Sequence, residues 1–155
     1  MKFWPIALLS LLPTWAMALE TGDSVAPWTL LDQFDQPYSL NSQARVLLVA
    51  RDMDGAKLLD TALQGQPKGY LEQRDAVFLA DVEKMPALIA KLFAVPAMRG
   101  YNYRVMLDRK GRIAPQYPAQ AGQVLWIELD HQRVVAEHEF TDAAALHQAL
   151  EQAKK

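Results

Sequence analysis

The residues with chemical potential fall into two short polar clusters and a scatter of single side chains. The first cluster is Arg51-Asp52-Met53-Asp54-Gly55, which follows the apolar run Val46-Leu47-Leu48-Val49-Ala50. A run of that kind reads as a buried strand, and the residues after it as the start of a helix. The free N–H groups of a helix N-terminus favour anions. Here Asp52 and Asp54 supply negative charge themselves, so they read first as capping residues and second as a recognition patch for a peptide or a small cationic ligand. The second cluster is Met98-Arg99-Gly100-Tyr101-Asn102-Tyr103-Arg104. Arginine and tyrosine together are the composition of interface hot spots. Packing of the Tyr rings onto the core is the plainer reading of the same residues.

The single side chains carry weaker signals. His131, His138 and His147 have no metal-ligand spacing, although Asp130 and His131 are adjacent. Met53, Met85, Met98 and Met106 offer thioethers, which fill core gaps more often than they bind copper. Ser24, Ser39 and Ser42 lack the sharp strand-to-helix context of a serine nucleophile. No glycine-rich phosphate loop is present. The chain contains no cysteine. That single fact removes thiolate nucleophiles, zinc–thiolate sites, disulfides and thiol peroxidase chemistry together. No cofactor and no metal are expected.

The elements that position these residues follow from periodicity. Residues 1–18 read as a signal peptide: Lys2 gives the positive start, residues 3–12 are apolar apart from Ser10, and Ala16-Met17-Ala18 offers a cleavage site. The apolar run is too short to anchor the chain across a bilayer. Cleavage removes Lys2 alone among the charged residues and takes the formal charge from −2 to −3. The expected location is therefore the periplasm, with no stable membrane anchor after cleavage and one domain over residues 19–155. No basic stripe exists to neutralise phosphates, which argues against nucleic acid.

Along that domain, residues 22–40 read as a loop and hairpin, and 45–50 as a buried strand. The pattern predicts a helix over 56–63 and a second strand over 76–82. Residues 85–93 form an amphipathic helix with Leu88, Ile89, Leu92 and Phe93 turned inward, and Pro96 and Gly100 punctuate the loop after it. Residues 104–107 form a short strand. Residues 124–129 and 133–140 form a hairpin around Asp130-His131-Gln132, and 143–152 the last helix. A βαβ unit followed by a hairpin and a helix is an α/β arrangement with a mixed sheet.

The order of several degenerate motifs resembles the thioredoxin-like superfamily, in its redoxin and alkyl hydroperoxide reductase/thiol-specific antioxidant branch. The opening Gly22-Asp23-Ser24-Val25-Ala26-Pro27-Trp28-Thr29-Leu30-Leu31-Asp32, then Gln36-Pro37-Tyr38-Ser39-Leu40, looks like that branch's first hairpin. Tyr103 to Ala114 is similar to its inserted strand, and Val124 to Asp130 to its "f-x-I-D" strand. The resemblance covers almost the whole of residues 19–155. It implies a three-layer α/β/α sandwich with a central mixed sheet and an N-terminal β-hairpin. It does not carry activity across. Arg51 to Gly55 stands where the family places its reactive cysteine, and Ala121-Gly122-Gln123-Val124 stands where the family places its cis-proline.

The resulting expectation is a redox-inactive protein- or peptide-binding or scaffolding module. Its candidate binding residues are Arg51, Asp52, Met53, Asp54, Gly55, Arg99, Tyr101, Tyr103 and Gln123, and its partner is an unidentified periplasmic protein or peptide. Two other classes stay open: an enzyme using carboxylate or histidine acid–base chemistry at the same edge, and an accessory protein docking to a cysteine-bearing redox partner.

Overall fold

A computed structural model describes residues 19–153. The signal-peptide reading of residues 1–18 lies outside the described residues. Among the described residues the chain forms a two-stranded hairpin, β1 (Thr29–Leu31) with β2 (Pro37–Ser39), and a five-stranded mixed sheet. The sheet is built from β3 (Val46–Ala50), β4 (Ala76–Asp81), β5 (Met106–Asp108), β6 (Val124–Asp130) and β7 (Arg133–Phe140), in the order β5-β4-β3-β6-β7. β3 pairs parallel to β4 and antiparallel to β6. It lies in the middle of the sheet, as expected of a run in which all five residues are buried.

The period-two alternation of β3 divides the core. Val46, Leu48 and Ala50 face one side, where they meet Leu59 of α1 (Met53–Ala62) and Leu146 and Leu150 of α4 (Ala143–Gln152). Leu47 and Val49 face the other side, which is covered by Val25, Trp28 and Leu40 around the hairpin and by Ala114 and Tyr117 of the 109–120 segment. Two fully buried polar residues organise these coverings. The Asp108 carboxylate accepts the N–H groups of Arg112, Ile113 and Ala114, which holds that segment onto the sheet. Gln33 ties the hairpin to the 98–105 segment: its Nε2 donates to the carbonyls of Met98 (3.2 Å) and Tyr103 (2.7 Å), and its Oε1 accepts from Val105 N–H (2.9 Å).

The segment after β4 departs from the sequence expectation. α2 (Ala87–Ile89) continues without a break into a π-helical stretch (Ala90–Ala94) and α3 (Val95–Met98), a single rod over 87–98 that contains Pro96. Leu88, Ile89, Leu92 and Phe93 do not pack inward; all four are exposed. The physical reason is Pro96. It has no N–H to give the Leu92 carbonyl, and its ring would collide with that carbonyl in an ordinary helix. The chain answers with an extra residue in the turn, so that Val95 N–H donates five residues back to Ala90. The buried row then runs Ala90, Val95, Met98 in place of the 90, 93, 97 spacing of an unbroken helix, and Phe93 turns outward.

Candidate functional site

β3, β4 and β5 run parallel, so the loops leaving β3 and β4 emerge at one end of the sheet, where ligands favour α/β folds. Asp52 is the hinge of that end. It stands as the N-cap of α1, with Oδ1 accepting Gly55 N–H at 2.9 Å. Both of its oxygens also accept Gly122 N–H, at 3.1 and 2.9 Å. Gly122 takes φ +73°, a left-handed conformation that suits glycine and aims its N–H at the carboxylate. One side chain thus joins the start of α1 to the turn before β6.

Gly55 completes the junction. A Cβ placed there would lie 2.5 Å from the Gln123 carbonyl oxygen, so only a residue without a side chain permits this approach of helix to loop. The Arg51–Gly55 loop and Gln123, far apart in sequence, are therefore brought together. The amide oxygen of Gln123 is buried with no hydrogen-bond partner, an unspent acceptor beneath the same edge. Asp54 adds acidic charge to the first turn of α1, and Met53 is exposed.

Arg51 turns toward the opposite face. With Asp81, Glu83, Lys84, Pro115 and Tyr117 it lines a cleft of about 330 Å³ at the strand ends. Its guanidinium makes no hydrogen bond or ion pair within the described residues, and neither does the Lys84 ammonium. Asp81 spends one oxygen on Glu83 N–H. Sequence reasoning missed Asp81, Glu83, Lys84 and Tyr117. The signal for the first three was available, since residues just past a buried parallel strand share an end with those just past its neighbour.

Arg99, Tyr101 and Tyr103 are elsewhere. They lie where the chain enters β5, at the other end of the sheet from Arg51, and they are bound into the structure. Arg99 Nε donates to the Gln33 carbonyl at 2.9 Å. Tyr103 stacks on Tyr101 with ring centroids 5.0 Å apart and donates its hydroxyl to Asp60 at 2.8 Å. Burial, then the Asp60 carboxylate, pushes the Tyr103 hydroxyl far above its ordinary pKa, and burial likewise raises Tyr101. Next to them Arg104 donates to Asp32 at 2.7 Å. Burial alone would raise Asp32, but the N–H of Gln36, the Arg104 guanidinium and the N–H of Phe34 outweigh it and hold the carboxyl below its usual range. Arg99 and Arg104 latch the hairpin to the 98–105 segment, and Tyr103 ties that segment to α1.

The histidines do not converge. His131 bonds its neighbour Asp130 at 2.6 Å, His138 lies on β7, and His147 reaches the Ala62 carbonyl at 3.1 Å. Among the described residues no group of three His, Cys, Asp or Glu side chains is placed to hold a metal ion. Methionine is equally dispersed, with Met98 and Met106 in the two separate halves of the core.

No family model matches the chain, and no curated protein matches it. Solved structures do. A protein described as DsbE, a thiol:disulfide interchange protein of Chlorobium tepidum, is 17% identical with a TM-score of 0.58, over 88% of this chain and 96% of that one. Peroxidoxin BcpB of Mycobacterium tuberculosis is 18% identical with a TM-score of 0.56, over 87% and 96%. The thioredoxin domain of a thiol-disulfide oxidoreductase of Bacteroides vulgatus is 14% identical with a TM-score of 0.55, over 89% and 100%. Identities this low establish the fold alone. The fold is thioredoxin-like, and it is carried by a chain without cysteine.

Proposed function

We propose that this cysteine-free thioredoxin fold is a non-catalytic binding module that receives a protein or peptide partner at the strand-end edge beside Arg51. The observation that carries this reading is how the polar groups there are spent. Asp52, the best-placed acid, gives its oxygens to the backbone N–H groups of Gly55 and Gly122, which makes it a structural clamp. The groups left unspent at the cleft are recognition groups: the Arg51 guanidinium and the Lys84 ammonium. The cleft sets Arg51 and Lys84 beside Asp81 and Glu83, a mixed lining that suits a polypeptide segment carrying charges of both signs, whose carboxylate arginine holds with two parallel hydrogen bonds.

The leader-like residues 1–18 support export, with the domain 19–155 released in the periplasm, and the partner is then a periplasmic protein or peptide. Such a partner can carry cysteines of its own, which accommodates a docking role in a redox pathway. The test compares capture from periplasmic extract by the wild-type protein and an Arg51→Ala/Lys84→Ala variant, whose side chains hold nothing together in the fold. Loss of a defined partner in the variant is the expected result. Identical capture by both proteins removes this edge from consideration.

A further inference from the structure

The 87–98 rod turns its small side chains to the core and its large ones to solvent. Leu88 is 66% exposed, Ile89 45%, Leu92 54% and Phe93 65%. Of the eight large exposed hydrophobic residues among the described residues, four stand on this one turn and a half of helix. Leu88 and Leu92 form one row and Ile89 and Phe93 an adjacent one, each pair four residues apart. Lys91 is the only charged residue between Ala87 and Met98. Together these side chains present roughly 400 Å² of contiguous apolar surface, the size of the largest patch on a typical monomer, which is often functional.

We propose that this surface is the two-fold interface of a homodimer, with the 87–98 rods of two copies packed antiparallel. Two observations favour a second copy of this chain. The first is area. Two such patches give roughly 800 Å², and the exposed Ala87, Lys91, Pro96 and Ala97 as rim raise the contact toward the ~1,000 Å² that a specific interface clears. The second is shape. Two parallel rows of large side chains leave a groove between them that the same rows of a symmetry mate fill, which is what an isologous contact requires. A negatively charged lipid surface fits less well, since the chain carries a net charge of −2 and Lys91 is the one charged residue on the rod. The interface is on a different element from the Arg51 cleft and stands independently of the binding reading.

Sedimentation velocity on the purified protein tests this directly. At about 100 µM, two orders of magnitude above a micromolar Kd, the wild type is expected at twice the monomer mass and to dissociate on dilution. A Leu92→Glu/Phe93→Glu variant is expected to be monomeric at that concentration, with the dimer Kd raised at least ~100-fold, because it replaces the central anchors with like charges. Circular dichroism should show native helix content in the variant. Should that variant fold poorly, a single Leu88→Ser change is measured in its place and is expected to weaken the dimer ~10-fold or more. A wild type that stays monomeric at about 100 µM overturns the proposal. So does a dimer whose mass and Kd neither variant alters. Co-flotation of a monomeric wild type with 3:1 phosphatidylethanolamine–phosphatidylglycerol vesicles, lost in the variant, overturns it in favour of a lipid surface.

Discussion

The strand-end loop 51–55 and the rod 87–98 follow two neighbouring strands, β3 and β4, and carry opposite kinds of residue. The loop is polar and acidic, the composition of a reactive site, yet its leading acid is consumed as a clamp between α1 and the 121–123 turn. The rod is apolar, the composition of a core helix, yet its largest side chains stand in water. Polar groups near backbone N–H groups are captured locally, because an unsatisfied buried N–H costs about as much as the carboxylate gains by capping it. Apolar groups have no such local partner, and a one-residue shift in a helix decides whether they are buried. What looks like chemistry here is structure, and what looks like core is a surface.

The largest effect that tests this contrast is at Gly55. Gly55→Val drives a side chain into the Gln123 carbonyl, which cannot retreat without disrupting the turn before β6. We expect a loss of about 3 kcal/mol in urea-induced unfolding. A loss below about 0.5 kcal/mol, the range of an ordinary surface position, would show that the loop is not clamped as described.

Next comes the latch at the other end of the sheet. Gln33→Leu keeps the volume but orphans the Met98 and Tyr103 carbonyls and Val105 N–H. About 2 kcal/mol of stability should be lost in the same measurement. Hydrogen exchange at Val105 should accelerate with it; unchanged exchange there would mean that the hairpin is held by packing alone.

The smallest effect concerns Glu137 on β7, whose Oε1 is buried without a partner. Burial first, then the charges of Glu139 and Asp23, raises its pKa above the ordinary carboxylate value. The sign follows from linkage: a raised folded pKa gives stability that is present below the unfolded value near 4.5 and is lost as pH rises through the folded value. Glu137→Gln retains the neutral form at all pH. It should therefore be more stable than wild type at neutral pH, by a few tenths of a kcal/mol after solvent screening. The two should converge near pH 4. A pH-independent difference would assign the effect to packing.

Much of this molecule is legible in one dimension. The all-apolar run of β3 forces a central strand, because no solvated position accepts five such residues in a row. The motif order from Gly22 to Asp130 carries the thioredoxin-like arrangement, and the absence of cysteine removes thiol chemistry whatever the fold. A capping aspartate at 52 or 54 is equally readable, since a capping bond spans only three residues, and the structure selects Asp52. The second half of its role is not. Gly122 is seventy residues away, and only the closing of the sheet, with β6 beside β3, brings its N–H to the carboxylate. The same holds for Gln33, whose partners become neighbours only when the hairpin lies across the entry to β5. Pro96 was visible as a helix breaker. Whether it would end the helix or widen one turn depends on whether the residues beyond it, Met98 among them, gain burial by continuing. That gain belongs to the assembled core, so the outward face of Leu88, Ile89, Leu92 and Phe93 was decided by tertiary packing and not by their own periodicity.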